Sequence, residues 1–339
     1  MASNTAAWLP SEKAYPFEVK AAPMGTPGEN QILVKNHALA INPINFKLQA
    51  LAIYPMQYPV ILGEDVAGEV VAVGPGVTRF REGDRVAGVA AGFVTKQNQE
   101  RGFQAYTVLE TDLTSDIPNG ISFEAAAVLP LCCATAASGL FNPQMLHLDV
   151  PTEPARAPNG KTVLVWGGAS SVGCNAIQLA VAAGYEVLTT ASPKNFARVK
   201  QLGASVVFDY NSPTVAADLV AAAQGKTLVG VLDCVGGQAW APCFEFLQKT
   251  DGVKFIVTTI PRFPDPPEGI TIMQTQALAT RDSHVAKAVF EDFLPKALRS
   301  GAFVPAPDPL VVGKGLESIQ AAVDLYRKGL SAQKAVVTL

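Results

Sequence analysis

The chain has 339 residues, too many for the usual single domain of about 100–200 residues, so two domains are expected. Apolar residues make up 49% and charged residues only 16%, below the roughly 25% of an average globular protein, which excludes a disordered chain and a solvated helical array. Lysine plus arginine (26) against aspartate plus glutamate (29) gives a net charge of -3, so no charge excess draws the chain to nucleic acid or to anionic lipid.

The N-terminal stretch lacks both the basic-then-apolar pattern of a secretory signal and the Arg-rich pattern of mitochondrial import, which points to a cytoplasmic protein. Strands are expected over residues 31–41 and 66–73, the second closed by Gly74-Pro75-Gly76, and again over residues 85–89 and 104–109. The first 120 residues thus read as a β domain punctuated by glycine and proline. From Ser122 the pattern turns helical. Its apolar stretch, residues 121–141, is broken by Glu124 and Pro130 and does not meet the about 20 uninterrupted apolar residues of a membrane span. Five short strands then follow (TVLVWGG, EVLTTAS, SVVFDY, LVGVLDCV and KFIVTTI), separated by four helix-length segments that mostly end in glycine. That alternation predicts an α/β fold with a doubly wound parallel sheet. A late helix from His284, a proline-rich link, a helix from Leu316 and a terminal strand KAVVTL complete the chain. The five cysteines form no C-x-x-C pair and their number is odd, unlike a secreted disulfide framework.

After the first of the five strands the chain reads Gly168-Ala169-Ser170-Ser171-Val172-Gly173 and enters an apolar helix. This is the dinucleotide fingerprint G-x-S-x-x-G, with serine in place of the middle glycine. Small residues there let backbone N–H groups reach a pyrophosphate at the helix start, and serine adds a hydroxyl; the plainer alternative is an ordinary strand-to-helix turn. A cofactor without a 2'-phosphate would call for Asp or Glu at the tip of the second strand. The tip reads Ala191-Ser192-Pro193-Lys194-Asn195 instead, with no carboxylate to repel a phosphate. A charge-assisted hydrogen bond from such residues is worth about 1.5–3 kcal/mol, which favours NADP(H), the alternative being that Lys194 is merely solvated. Tyr210, after the third strand, stands where it can cover the adenosine end or simply pack at the rim.

Three further strings complete the pattern: Asn42-Pro43-Ile44-Asn45-Phe46-Lys47, Leu62-Gly63-Glu64-Asp65-Val66-Ala67-Gly68, and Val73-Gly74 through Arg79-Phe80 to Gly83-Asp84-Arg85-Val86. With the nucleotide loop, these make the chain resemble the medium-chain dehydrogenase/reductase superfamily over essentially its whole length. Within it the chain is most similar to the zinc-free quinone oxidoreductases and enoyl reductases, the fungal trans-acting polyketide enoyl reductases above all. The resemblance implies a GroES-like β-rich substrate domain, residues 1–122 and 296–339, around a Rossmann domain, residues 123–295, with the active site in the cleft. Zinc-dependent members draw ligands from a cysteine at the position of Asn42 and from the histidine of a Gly-His-Glu string, where this chain has Gly63-Glu64-Asp65. No metal is therefore expected.

By the same resemblance Lys47, Tyr54 and Thr135 are the candidate catalytic residues. Asn45, Lys47, Thr135, Ser170, Ser171, Val172, Gly173, Ser192, Lys194, Asn195 and Tyr210 are the candidate NADP(H) contacts. Asn45 departs from the family's usual aspartate, and Tyr54 lies one residue from the family's proton-donor tyrosine, leaving a structural aromatic as its alternative. Cys132 and Cys133 read as packing residues, and His37, His147 and His284 as structural. A metal-free hydride-transfer site suits an activated C=C bond, whose carbonyl already withdraws charge. The expected activity is NADPH-dependent reduction of an enoyl or other α,β-unsaturated carbonyl. The substrate would be a small molecule or carrier-bound acyl chain, and the protein a monomer or homodimer. The alternatives are a quinone oxidoreductase and a non-enzymatic NADPH-binding relative. Specificity is expected in residues 88–103, 141–157 and 261–277.

Overall fold

The computed structural model describes residues 3–339, which divide into two compact units. One comprises the chain up to Leu131 together with Pro305–Leu339; the other is Cys132–Val304. Both limits fall nine residues later than the expected ones at 122 and 295.

The second unit is built on a six-stranded parallel sheet in the order Val206–Asp209, Glu186–Ala191, Lys161–Trp166, Thr227–Asp233, Phe255–Thr258, Thr271–Gln274. The two strands nearest its centre on the nucleotide side, Lys161–Trp166 and Glu186–Ala191, are buried almost end to end, as strands covered by helices on both faces must be. This is the doubly wound sheet expected from the alternation, with one addition. The sixth strand, Thr271–Gln274, lies inside the segment 261–277, in which specificity is expected and no strand is read from the sequence. Four residues with only Ile272 buried carry too little alternation to be seen, and pairing with Phe255–Thr258 makes them a strand. The late helix starts at His284 and runs to Ser300 with π-helical turns over Lys287–Phe293, ahead of Pro295, whose ring removes an N–H from the ladder.

The first unit is a β-rich body of two sheets. The larger runs in the order Asp308–Lys314, Gln333–Thr338, Gln31–Ala40, Asp65–Val73, Arg85–Val89, Thr114–Asp116, with Tyr106–Glu110 also paired to Gln31–Ala40. The smaller joins Glu18–Ala22, Asn4–Leu9 and Val60–Ile61. Leu39, Ile41, Val66 and Val337 belong to one core with Leu48 and with Ile319, Ala322 and Val323, which lie at one-turn spacing on the helix Ile319–Lys328.

At the centre of this unit lies a buried ion pair. Lys334, in the C-terminal strand, donates to Asp65 Oδ2 at 2.5 Å, and both side chains are fully buried. The same carboxylate accepts Asn42 Nδ2 at 2.8 Å and the Leu131 backbone N–H at 2.6 Å, while Lys334 Nζ also donates to the Val128 carbonyl at 3.2 Å. Leu131 and Val128 are thereby tied to the β-rich unit, which is why its limit lies beyond residue 122. Glu64, next to Asp65, has lost its water; burial pushes its carboxyl up to about 7, assisted by Asp65 and opposed by the Asn45 hydrogen bond, Arg101 and Lys334.

Two outcomes are expected. Lys334→Met leaves Asp65 charged and buried without its cation and should cost about 3–5 kcal/mol in urea unfolding; a loss below about 1 kcal/mol would show that the pair does not hold the unit. The Glu64 carboxyl holds its proton in the folded protein at pH values where the unfolded chain has released it. Its contribution is therefore full below about 4.5 and is lost as pH rises through about 7. Glu64→Gln, which keeps an acceptor for Asn45, should therefore gain about 2 kcal/mol on the wild type between pH 5 and pH 8. Parallel stability profiles for the two proteins would contradict this.

Candidate active site

In the Rossmann unit, strand Lys161–Trp166 passes through Gly167 and Gly168 into helix Ser171–Ala182. Ser170 caps the helix, its hydroxyl accepting the Gly173 N–H at 3.0 Å. Gly173 is required on contact grounds, since a Cβ there would lie 2.2 Å from the Gly167 carbonyl oxygen. With Gly173 N–H engaged by the cap, Ser171 and Val172 are left as first-turn N–H groups with no carbonyl one turn back, at the positive end of the helix. Both are half-buried, and this loop fits a pyrophosphate.

The tips of the two neighbouring strands meet beside it. Ala191 pairs in register with Asp209, and just beyond them Ser192 Oγ and Tyr210 Oη are 2.8 Å apart. Lys194 is exposed in the turn Pro193–Asn195, whose Asn195 N–H closes onto the Ser192 carbonyl at 2.8 Å. Asp209, the carboxylate closest in sequence to Tyr210, is turned into its own bend, its Oδ1 accepting the backbone and side-chain N–H groups of Asn211. The folding of the chain thus brings Ser192 and Tyr210, 18 residues apart, into one hydrogen-bonded pair with a lysine nearby. Thr135 is half-buried on helix Pro130–Phe141 of this unit. Cys132 and Cys133 next to it are buried free thiols, and burial pushes the Cys133 thiol far above its usual range, so it is no nucleophile at neutral pH.

In the β-rich unit, helix Pro43–Leu51 carries Asn45 and Lys47. Asn45 is fully buried; its Oδ1 accepts the Asn42 N–H at 2.8 Å and its Nδ2 donates to Glu64 Oε2 at 2.8 Å. This corrects its assignment to the cofactor: a side chain with no accessible surface offers a ligand nothing to touch. Asparagine replaces aspartate here because the group must donate to Glu64, and a second carboxylate at this spot would repel it. Lys47 is half-buried and, among the described residues, makes no hydrogen bond or ion pair. Tyr54 is half-buried, its ring edge-on to Phe93 with centroids 5.5 Å apart. Phe93 lines a cavity of about 440 Å³ together with Met56, Tyr58, Lys96 and Arg101. Arg101 was not singled out from sequence; the segment 88–103 was marked for specificity, but nothing local separates a buried arginine from a surface one.

Whether zinc fits is decided by the donors. Asn42 turns its amide N–H toward Asp65, Glu64 is held by Asn45, and the Lys334 ammonium occupies the remaining side of Asp65. Two amide donors and a cation face these carboxylates, the reverse of what a metal needs, and the residues do not fit a zinc ion. Among the described residues no three His, Cys, Asp or Glu side chains gather. His37 stacks on Phe123 with ring centroids 4.5 Å apart, His147 lies in a left-handed turn, and His284 opens the late helix.

The model described as the alcohol dehydrogenase GroES-like domain matches residues 28–120, and that described as zinc-binding dehydrogenase matches residues 171–295. The chain is 55% identical to the zinc-binding alcohol dehydrogenase domain-containing protein cipB of Emericella nidulans, over 99% of this chain and 98% of that one. It is 38% identical to the trans-enoyl reductase himH of Aspergillus japonicus, over 99% of this chain and 97% of the relative. Among solved structures, an alcohol dehydrogenase superfamily protein from Novosphingobium aromaticivorans superposes with a TM-score of 0.79 at 27% identity, covering 99% of both chains. With these full-length likenesses on a GroES-like and a Rossmann unit, the chain belongs to the medium-chain dehydrogenase/reductase family of oxidoreductases, in a form whose residues do not build the zinc site.

Proposed function

We propose that the protein is an NADPH-dependent reductase that adds hydride to the C=C bond of an α,β-unsaturated carbonyl compound, a small molecule or carrier-bound acyl chain, without a metal ion. The observation that carries this reading is the Asn42–Asp65–Lys334 cluster, in which an amide N–H and an ammonium already take up the Asp65 carboxylate, so that this cluster offers a Lewis acid no open set of electron pairs. Reduction of an ordinary ketone calls for such an acid or a strong proton donor on oxygen, whereas the carbonyl of an enone already withdraws the charge that hydride brings. The likeness to himH, whose name is trans-enoyl reductase, supports the same substrate class.

When bound, the reduced nicotinamide supplies the hydride. The chain's own part is to hold and to protonate. Ser170, Ser171, Val172 and Gly173 form the loop for the pyrophosphate. Ser192 and Tyr210 offer hydroxyl donors and Lys194 a cation to a 2'-phosphate, with Asn195 beside them. Lys47, unpaired among the described residues, is a donor available to ligand oxygen, and Tyr54 offers a phenol hydroxyl. Thr135 offers a hydroxyl on the Rossmann unit.

One set of measurements tests the reading. NADPH oxidation is followed with an enone, an enoyl thioester and a quinone, and NADPH and NADH affinities are compared in Ser192→Ala, Lys194→Ala and Tyr210→Phe. The expected result is turnover of the enoyl-type substrates in preference to the quinone, with NADPH binding about tenfold or more weaker in Lys194→Ala and NADH binding unchanged. Lys47→Ala and Tyr54→Phe should lower turnover by about a hundredfold while NADPH still binds. Tight NADPH binding with no reduction of any of the three substrates would overturn the proposal, and a preference for quinones would replace the substrate class.

A further inference from the structure

The segment 92–101 is built around one charged side chain. Arg101 is only 4% exposed, yet its guanidinium makes no hydrogen bond with any described residue, and its Nε is buried without a partner. The backbone beneath it is fixed: the Arg101 carbonyl accepts Gln104 Nε2 at 2.6 Å and Thr107 Oγ1 at 3.0 Å. Gly92 clears the path for its stem, since a Cβ there would lie 2.3 Å from Arg101 Cγ. The nearest opposing charge, Glu64, acts on Arg101 through space, but the carboxylate oxygen with a hydrogen bond is taken by Asn45. A guanidinium carries five donors in a planar fork, and a buried Nε–H left without an acceptor is costly unless something else fills it.

That something has a place to sit. Arg101 lines the cavity of about 440 Å³ described above, within the range of small-molecule sites. Its other walls include the apolar and aromatic side chains of Met56, Tyr58 and Phe93. Lys96, over the Phe93 ring at 4.9 Å, spends its ammonium on the Phe93 carbonyl at 2.7 Å. The cavity thus joins one oriented, hydrogen-bond-free cation to an aromatic lining.

We infer that Arg101 is a specificity-determining residue that binds a planar carboxylate on an unsaturated substrate, whose apolar body packs against Met56, Tyr58 and Phe93. The carboxylate takes two parallel N–H bonds from the fork, a geometry that lysine does not reproduce. The ligand's being the reduced substrate rests on the proposed function; the carboxylate site does not.

The test is equilibrium binding of trans-cinnamate and of its methyl ester to the full chain by calorimetry, in the wild type, Arg101→Lys and Met56→Trp, with circular dichroism to confirm that each variant is folded. Cinnamate should bind the wild type at least about tenfold tighter than the ester, since only the acid engages the charged fork. Arg101→Lys should erase that preference, and Met56→Trp, which fills the cavity, should weaken both ligands. Equal binding of acid and ester, no binding of cinnamate, or a preference that survives Arg101→Lys would each overturn the inference. Reduction of neutral cinnamaldehyde is measured alongside: a protein that prefers cinnamate but reduces nothing contradicts the reductase proposal and leaves the Arg101 site standing, and the converse result does the opposite.

Discussion

The Asp65 carboxylate is the point on which the β-rich unit closes. It receives a side-chain amide from Asn42, a backbone N–H from Leu131 and an ammonium from Lys334, which is 269 positions away in sequence. Each donor comes from a different part of the chain: the helix start at Asn42, the helix at the unit's limit, and the C-terminal strand. A buried carboxylate without such partners would be driven to take up a proton or to unfold its surroundings. With them, the last strand is fixed in register beside Gln31–Ala40, and the unit formed by both ends of the chain has an anchor. The entropy of closing so long a loop grows only slowly with its length, so a few well-formed contacts suffice to hold the closure.

The same contacts decide the chemistry open to the site. In a metal-dependent relative this region supplies electron pairs; here Asn42 and Asn45 supply N–H groups and Lys334 supplies a positive charge. The charge that a metal would bring is present as an ammonium, but it is sheathed by Asp65 and the Val128 carbonyl and is fully buried, so it stabilises the fold and reaches no ligand. On the proposed reading, catalysis falls to groups with accessible surface, and to a reaction in which the substrate itself carries the electron-withdrawing group. The low fraction of charged residues has a related meaning. Lys334 and Arg101 are buried cations with opposite circumstances, the first fully paired and the second with its Nε buried and without a partner.

What could be read from the sequence was what is local. Gly168 to Gly173 follow a strand and start a helix, and that order alone places the loop proposed to hold the pyrophosphate; the strand tips of Ser192 and Tyr210 follow from counting strands. Their 2.8 Å contact could be suspected because parallel neighbours end side by side, but only the register of Ala191 with Asp209 fixes it. What was not legible depends on distant partners. Lys334 opens the short terminal strand KAVVTL, and nothing near it in sequence announces Asp65. Asn45 was assigned to the cofactor because of where relatives keep an aspartate; its spacing of three from Asn42, the spacing of a helix cap, was the signal that pointed inward. Thr271–Gln274 was too short to show a period, and Arg101 looks like any other loop arginine until its burial is known.

The central claim is that the carboxylates at the metal-ligand positions are taken up by two amides and a buried ammonium, and that the proposed reduction proceeds without a metal. Elemental analysis of the purified protein while it oxidises NADPH with an enone tests this most directly. The account predicts full activity with far less than one metal ion per chain and no effect of a strong chelator. Zinc bound at one ion per chain, with activity lost on its removal and restored on its return, would contradict it.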